Sequence, residues 1–276
     1  MDETTPGADE VQEYYALGRE ERRLDRGRGA LEELRTRELL ARWLPDPPAT
    51  VLDVGGAAGR YALPLAALGH RVHLLDPAPL HVRQARAASS TAAAPLASVT
   101  RGDARHLPFA DAAADAVLLL GPLYHLQERA DRLAALSEAV RVLRPGGVLV
   151  AAAISRWASA IDGAALGFLA DPEFARIVER DLATGRHENP ARRPGWFTTA
   201  YFHRPDELRE ELAAVGLAVE GPVAVEGVGG LAPDLDGMLA EPSTRGRLLA
   251  IVRATEQEPA LLGVSSHLIA MGRAPG

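Results

Sequence analysis

Residues 51–82 read VLDVGGAAGRYALPLAALGHRVHLLDPAPLHV, and this stretch decides the fold. Thr50–Val54 is a short apolar run rich in β-branched residues, predicted to be a strand. Gly55 to Gly59 forms a glycine-rich turn. Arg60–Leu68 reads as a helix stopped by Gly69, Arg71–Leu75 as a second strand, and Leu80–Ala88 as the next helix. A strand, a tight turn, a helix and a second strand make a βαβ unit, which forces the two strands to lie parallel.

The alternation continues downstream. Ser98–Arg101 and Ala116–Leu120 are predicted strands three and four. In the helix that follows, Leu133, Leu136, Val140 and Leu143 recur at helical spacing and are predicted to face the core. Arg144-Pro145-Gly146-Gly147 stops that helix, and Val148–Ile154 is strand five. Upstream, residues 30–44 read as a helix ended by Pro45, preceded by a polar helical stretch with Tyr14 and Tyr15 and a tail of about 10 residues. The rhythm breaks between 155 and 200, where Trp157, Phe168, Phe174, Trp196 and Phe197 fall, and an inserted cap is expected there. Pro205 opens a helix with Leu208, Leu212 and Val215 on one face; Leu217–Val225 is strand six; a second helical insertion leads to a last strand, Ser266–Gly272. The expectation is an α/β chain with a Rossmann-like, doubly wound, seven-stranded and mostly parallel sheet carrying helical cap insertions. Its parts are a tail and helical cap over 1–45, a ligand-binding core over 46–155, an inserted cap over 156–203, and the rest of the core with its own insertion over 204–276.

Composition narrows the function. Apolar residues make up 47% of the 276, enough for a large core. The formal net charge of −7 argues against a general nucleic-acid binder, because phosphates would be repelled. With no cysteine, disulfides, zinc–thiolate sites and thiol nucleophiles are excluded. The absence of disulfides, the acidic start MDETTPGADE and the lack of a long apolar run give a cytoplasmic chain without a membrane partner as the expectation. His203 and His267 have no partner at local metal-ligand spacing, so no metal is expected.

Chemistry enters at the glycine turn. A glycine-rich turn leaving a strand lets a ligand approach the backbone, and the helix start behind it offers unpaired N–H groups. About 20 residues on, the second strand ends in Asp76, whose carboxylate can accept the hydroxyl hydrogens of a ribose. The turn is not G-x-G-x-x-G: it runs Asp53-x-Gly55-x-Ala57-x-Gly59. A carboxylate two residues before the first glycine repels a pyrophosphate and suits a ligand that carries an ammonium. Further on, Gly102-Asp103-Ala104 follows strand three, where a carboxylate can accept from an adenine amino group.

With these motifs in register the chain resembles the class I S-adenosylmethionine-dependent methyltransferases, in particular the small-molecule group that includes ubiquinone-biosynthesis enzymes. The resemblance spans about residues 50–155 and rests on Asp53-Val54-Gly55, Asp76, Gly102-Asp103-Ala104, Leu107-Pro108-Phe109 and Leu143-Arg144-Pro145-Gly146-Gly147. It implies S-adenosylmethionine as cofactor. Gly55, Ala57 and Gly59 would pass beneath it, Asp53 would face its aminoacyl end, Asp76 and Pro77 its ribose, Asp103 and Ala104 its adenine, and Leu120 and Gly121 its methyl end. Ala57 departs from the usual glycine, which implies a slightly tighter pocket. Tyr14 and Arg28 lie where related enzymes close an N-terminal helix over the cofactor, and an arginine fork suits its carboxylate.

Gly121-Pro122-Leu123-Tyr124-His125 ends strand four, which in this family faces the methyl group. Methyltransferases acting on nucleobase amines place an amide or carboxylate where this chain has Gly121. Tyr124 and His125 remain as candidate catalytic residues, the histidine as a base titrating near neutrality and the tyrosine as an acceptor anchor. The expected acceptor is a small organic molecule, with the aromatic insertion pointing to a specialised metabolite of natural-product biosynthesis. The same fold also hosts cyclisation or lyase chemistry on this cofactor and non-catalytic ligand binding, which remain alternatives.

Overall fold

The computed structural model describes Glu10 and residues 20–276. The predicted helical stretch with Tyr14 and Tyr15 lies outside the described residues. The described chain divides into two compact units, one holding Leu39–Ala152, Arg209–Glu220 and Ala270–Gly276, the other the described residues up to Glu38 with Ala153–Leu208 and Gly221–Ile269. Helix α1 (Gly27–Trp43) runs from the second unit into the first and ends two residues before Pro45, as proline dictates.

The first unit is built on β1 (Thr50–Val54), β2 (Arg71–Asp76), β3 (Ser98–Arg101), β4 (Ala114–Leu119) and most of β5 (Leu143–Ser155). These strands lie in the order β3-β2-β1-β4-β5 and pair in parallel throughout. Val51, Leu52 and Val54 of β1 and Ala116 to Leu119 of β4 are buried, as a strand covered on both faces requires. The order reverses between β1 and β4. In a parallel sheet that switch point opens a crevice at the carboxyl ends of the strands, and the Asp53 turn and the Gly121 loop both leave from there.

The connecting helices α2 (Ala62–Ala67) and α3 (Pro79–Thr91) follow the predicted order; a single unpredicted turn, α4 (Pro122–His125), then precedes the expected α5 (Arg129–Val142). Two further details differ. The buried face of α5 is Arg132, Ala135, Leu136, Ala139 and Val142, rotated from the predicted stripe, and Leu143 already belongs to β5. Alanines allow the close approach, and the arginine is tolerated because it is paired. Arg144 to Gly147 does not end the strand pairing. It forms an excursion within β5, which pairs Leu143 with Ala114 and resumes at Val148 with Ala116, while Gly146 takes φ +75.

In the second unit the region from 155 to 203 holds α6 (Ala158–Ala165), α7 (Pro172–Thr184), β6 (Arg186–His187) and β7 (Ala200–His203). The last two bring the described strands to two more than the sequence predicts. Ile154 and Ser155 at the end of β5 pair in parallel with Phe202 and His203 of β7, and β6 returns antiparallel along β7. Asp171 caps α7 by accepting the Glu173 N–H at 2.9 Å, and Gly185 closes it at φ +76. Phe168, Phe174 and Trp196 stack edge to face, with centroids 5.2 and 5.0 Å apart, over Ile177 and Val178. After α8 (Pro205–Ala214) and β8 (Ala218–Ala224), helices α9 (Leu235–Ala240) and α10 (Pro242–Thr255) pack Leu235, Leu248 and Leu249 on Leu31 of α1. The last strand is β9 (His267–Arg273), which pairs with β8 and β5. The fold is a Rossmann-like α/β sheet, mostly parallel.

Candidate active site

All the predicted core-site residues lie in the first unit, at the carboxyl ends of β1 to β4 or on the loops that leave them. The turn after β1 is fixed from below and from the side. Gly55 takes φ +73 and its N–H donates to the Leu75 carbonyl at 2.7 Å. A Cβ on Gly55 would stand 2.7 Å from Cγ of Pro122, so this position has room for no side chain. The turn after β1 and the loop after β4 therefore touch, backbone against proline ring. Ala57 adopts φ +47, a left-handed conformation that costs an alanine about 1–2 kcal/mol.

Asp76 holds this turn in place. Its Oδ2 accepts the Ala57 N–H at 2.9 Å, while Oδ1 accepts the Ala78 N–H at 2.9 Å and faces His81 Nδ1 at 3.0 Å. Two elements are tied through one buried carboxylate, and His81 is a partner the sequence reading missed. A carboxylate offers about four lone-pair sites. Oδ1 is filled, and Oδ2 keeps capacity for one further donor.

Asp53 is 1% exposed and its Oδ2 has no hydrogen-bond partner among the described residues. Burial, then repulsion from Asp76, push its carboxyl up to about 7, against the pull of the Ala62 N–H. A Cβ on Gly56 would lie 2.6 Å from that oxygen, so the glycine is what lets the turn close over the carboxyl. An orphaned buried acid beside a glycine turn is the feature that a cationic ligand group would relieve.

After β3, Asp103 is taken up by Arg105. The arginine backbone N–H donates to Oδ1 at 2.8 Å, and its Nη2 donates to Oδ2 at 2.7 Å. Burial alone would raise the Asp103 pKa, but the Arg105 hydrogen bonds win and hold it below the ordinary carboxylate range. Arg105 also reaches Asp131 in the first turn of α5 at 3.1 Å. Ala104 is buried and Pro77 exposed, its carbonyl accepting from Arg101 Nε at 3.1 Å.

Beyond β4, Leu120 and Gly121 are half-buried. The Tyr124 hydroxyl donates to the Leu120 carbonyl at 3.3 Å, and the His125 ring meets the tyrosine edge at a centroid distance of 4.7 Å. Both rings sit on the one-turn helix α4, which Pro122 starts.

The remaining candidates fall elsewhere. Tyr14 lies outside the described residues. Arg28 belongs to the second unit, where its Nη1 is 2.5 Å from Asp162. His267, which has no neighbour at metal-ligand spacing in the sequence, is 2.5 Å from Glu226 and 3.5 Å from Glu32. Ligand atoms of these three residues lie within 4.8 Å of one another, but Arg23 takes both Glu32 oxygens at 2.5 and 2.9 Å. The cluster is neutralised by its own cations. Positions 32, 226 and 267 are too far apart in sequence for any spacing rule to join them.

Comparison with known proteins bears on the fold and on the core sequence. Residues 52–151 match a methyltransferase domain family. A ubiquinone biosynthesis O-methyltransferase of Methylobacterium sp. (strain 4-46) is 35% identical over 190 residues, 66% of this chain and 65% of that protein. The chain spans a little under two thirds of the length of the curated relatives it matches. Among solved structures, a Haloferax volcanii methyltransferase in complex with the Trm112 activator superposes with TM-score 0.61 at 23% identity, covering 96% of this chain and 97% of that one. Magnesium protoporphyrin IX methyltransferase of Synechocystis PCC 6803, solved with bound S-adenosylhomocysteine, gives TM-score 0.52 at 15% identity over 89% and 82% of the two chains. At these identities the structures speak for the fold, and the family match speaks for the core. Residues 52–151 thus match a methyltransferase domain family, and the chain around them shares its fold with S-adenosylmethionine-dependent methyltransferases.

Proposed function

We propose that the chain transfers the methyl group of S-adenosylmethionine to a small organic acceptor, with oxygen as the favoured nucleophile. The observation that carries the reading is Asp53: a buried carboxyl with an orphaned oxygen, beneath a glycine turn at the switch point of the sheet. The O-methyltransferase relative favours oxygen, and Gly121 supplies no polar group to hold an amine.

The chain's residues then divide the work. Asp53 would face the aminoacyl ammonium as a carboxylate, any proton it holds passing to solvent as the ligand binds. Asp76 Oδ2 accepts one ribose hydroxyl beside the Ala57 N–H that fastens the turn, while Oδ1 stays with Ala78 and His81. Gly55, Ala57 and Gly59 pass beneath the ligand; Pro77, Leu120 and Gly121 line it. Asp103, already engaged by Arg105, presents Ala104 and its loop to the adenine. The bound cofactor supplies the methyl group and a leaving group that departs as a neutral thioether. The protein's task is alignment, which contributes several kcal/mol, up to about 7–11 in ideal cases. His125 takes the acceptor's hydroxyl proton, and Tyr124 orients it. Tyr14 and Arg28 carry no step of this scheme.

Calorimetry with S-adenosylhomocysteine tests the reading, with affinity expected near micromolar, about −8 kcal/mol. No binding by folded protein at millimolar ligand would sink it. Release of S-adenosylhomocysteine only when a phenolic or other hydroxylated acceptor is added separates methyl transfer from other uses of the same cofactor.

A further inference from the structure

Arg132 occupies the first position of the buried stripe of α5, ahead of Ala135, Leu136, Ala139 and Val142, where the pattern calls for an apolar residue. Its side chain is 2% exposed. A charge placed there must be answered by partners, and five hydrogen bonds do so. Nε donates to both Glu211 oxygens at 3.0 Å, and Nη2 donates to Oε1 at 2.7 Å. Nη1 donates to the carbonyls of Leu126 and Gln127 at 2.9 and 2.8 Å.

Those two carbonyls follow directly on α4, the single turn that holds Tyr124 and His125. Leu123 is buried within the turn, and the Tyr124 hydroxyl returns to the Leu120 carbonyl at 3.3 Å, while the two carbonyls beyond it are held by Arg132. The turn is four residues long, its first residue is a proline, and no side chain caps its start. The loop after it ends on Glu128, which also has no side-chain cap contact with α5. A buried ion pair by itself is weak evidence for stability, because apolar residues of the same volume often serve as well. What the apolar alternative cannot do is donate to two carbonyls from inside the core.

We propose that Arg132, seated by Glu211, is the positioning residue that fixes the loop presenting Tyr124 and His125. The inference rests on the reading that this loop meets the acceptor. Arginine is required by geometry. Its planar fork sends Nε and Nη2 to the carboxylate while Nη1 points the other way, a span that a lysine ammonium, with all its donors at one point, does not cover.

The test compares wild type, Arg132→Lys and the double variant Arg132→Met/Glu211→Leu by hydrogen exchange, with S-adenosylhomocysteine calorimetry and urea unfolding alongside. Lysine keeps the charge opposite Glu211, and the double variant removes both charges and keeps the volume. In both, exchange across 121–128 is expected to quicken by about tenfold or more, while peptides of β1 and β5 keep wild-type rates. The His125 ring protons, assigned with His125→Gln, shift or broaden in both variants. S-adenosylhomocysteine affinity stays within about threefold, since Asp53, Asp76 and Asp103, the acceptors assigned to its polar groups, sit on other loops. Wild-type exchange and His125 signals in the lysine variant would reduce Arg132 to a charge partner of Glu211 and overturn the inference. The same result in the folded double variant would overturn it as well. Failure of wild-type protein to bind S-adenosylhomocysteine would instead strike the methyltransferase reading, and the exchange data would still judge the loop.

Discussion

Replacing Asp53 by asparagine removes a charge and keeps the shape, and its effect on stability follows from the site. In an unfolded chain an aspartate titrates near 3.9. In the fold its carboxyl is pushed up to about 7, first by burial and then by Asp76. Between those two values the folded protein holds a proton that the unfolded chain has released, so stability falls as pH rises. The slope is about 1.4 kcal/mol per unit, and some three units give about 4 kcal/mol in all. Stability from the neutral carboxyl is thus fully present below pH ~4 and lost as pH rises through about 7. Asparagine does not titrate. The difference in unfolding free energy between Asp53→Asn and wild type should therefore shift towards the variant from pH ~4 to ~7 and level off above, by about 4 kcal/mol overall. Urea unfolding of ligand-free protein at several pH values measures it, and taking the difference cancels every other titrating group. A difference that stays flat across the range would mean that Asp53 is ionised at no cost, and the argument for an unrelieved buried acid would fail.

Four further outcomes follow from the same geometry. Ala57→Gly releases a left-handed alanine and should stabilise the chain by about 1 kcal/mol, read as a rise in urea midpoint; a loss would show the φ of +47 to be unstrained. Asp76→Ala removes the acceptor of the Ala57 and Ala78 N–H groups and should weaken S-adenosylhomocysteine binding by about tenfold or more in calorimetry, with unchanged affinity counting against the ribose assignment. Burial lowers the His267 pKa, but Glu32 and Glu226 outweigh it and bring it to about 9, so its pairing should stabilise the fold below pH ~6.5 and fade through about 9. The fading, on the order of 1–3 kcal/mol, should vanish in His267→Gln. His125→Ala should lower single-turnover methyl transfer by roughly 10²–10⁴-fold with little change in cofactor affinity; near wild-type rates would leave alignment as the whole mechanism.

The βα alternation from Thr50 to Val142 was legible because strand and helix periods differ and glycine or proline punctuates each junction. Asp53, Asp76 and Asp103 were legible for a similar reason: each sits a fixed distance beyond a strand. Strand β7 was not. Ala200 to His203 is four residues long with histidine in place of an aliphatic, and it gains its place by pairing with the end of β5, which no local pattern records. The face of α5 is hidden because small alanines and a paired arginine, Arg132, take the buried positions while Leu133 and Val140 stand half-exposed. His81 carried a signal, five residues after Asp76 on the first turn of α3. The partners of Arg132 and His267 lie 79 and 41 residues away, and only folding brings them into reach.

The contact between Gly55 and Pro122 makes two distant codons answer to one volume. The ring fills the place that any larger residue at 55 would need, and the same ring starts the turn that carries Tyr124 and His125. On the proposed reading a side chain at 55 would act twice, narrowing the cofactor's bed and shoving the acceptor's anchors outward. The order of change is therefore one-way: Pro122 can give place to a smaller residue by itself, but Gly55 can gain a side chain only once that ring is gone.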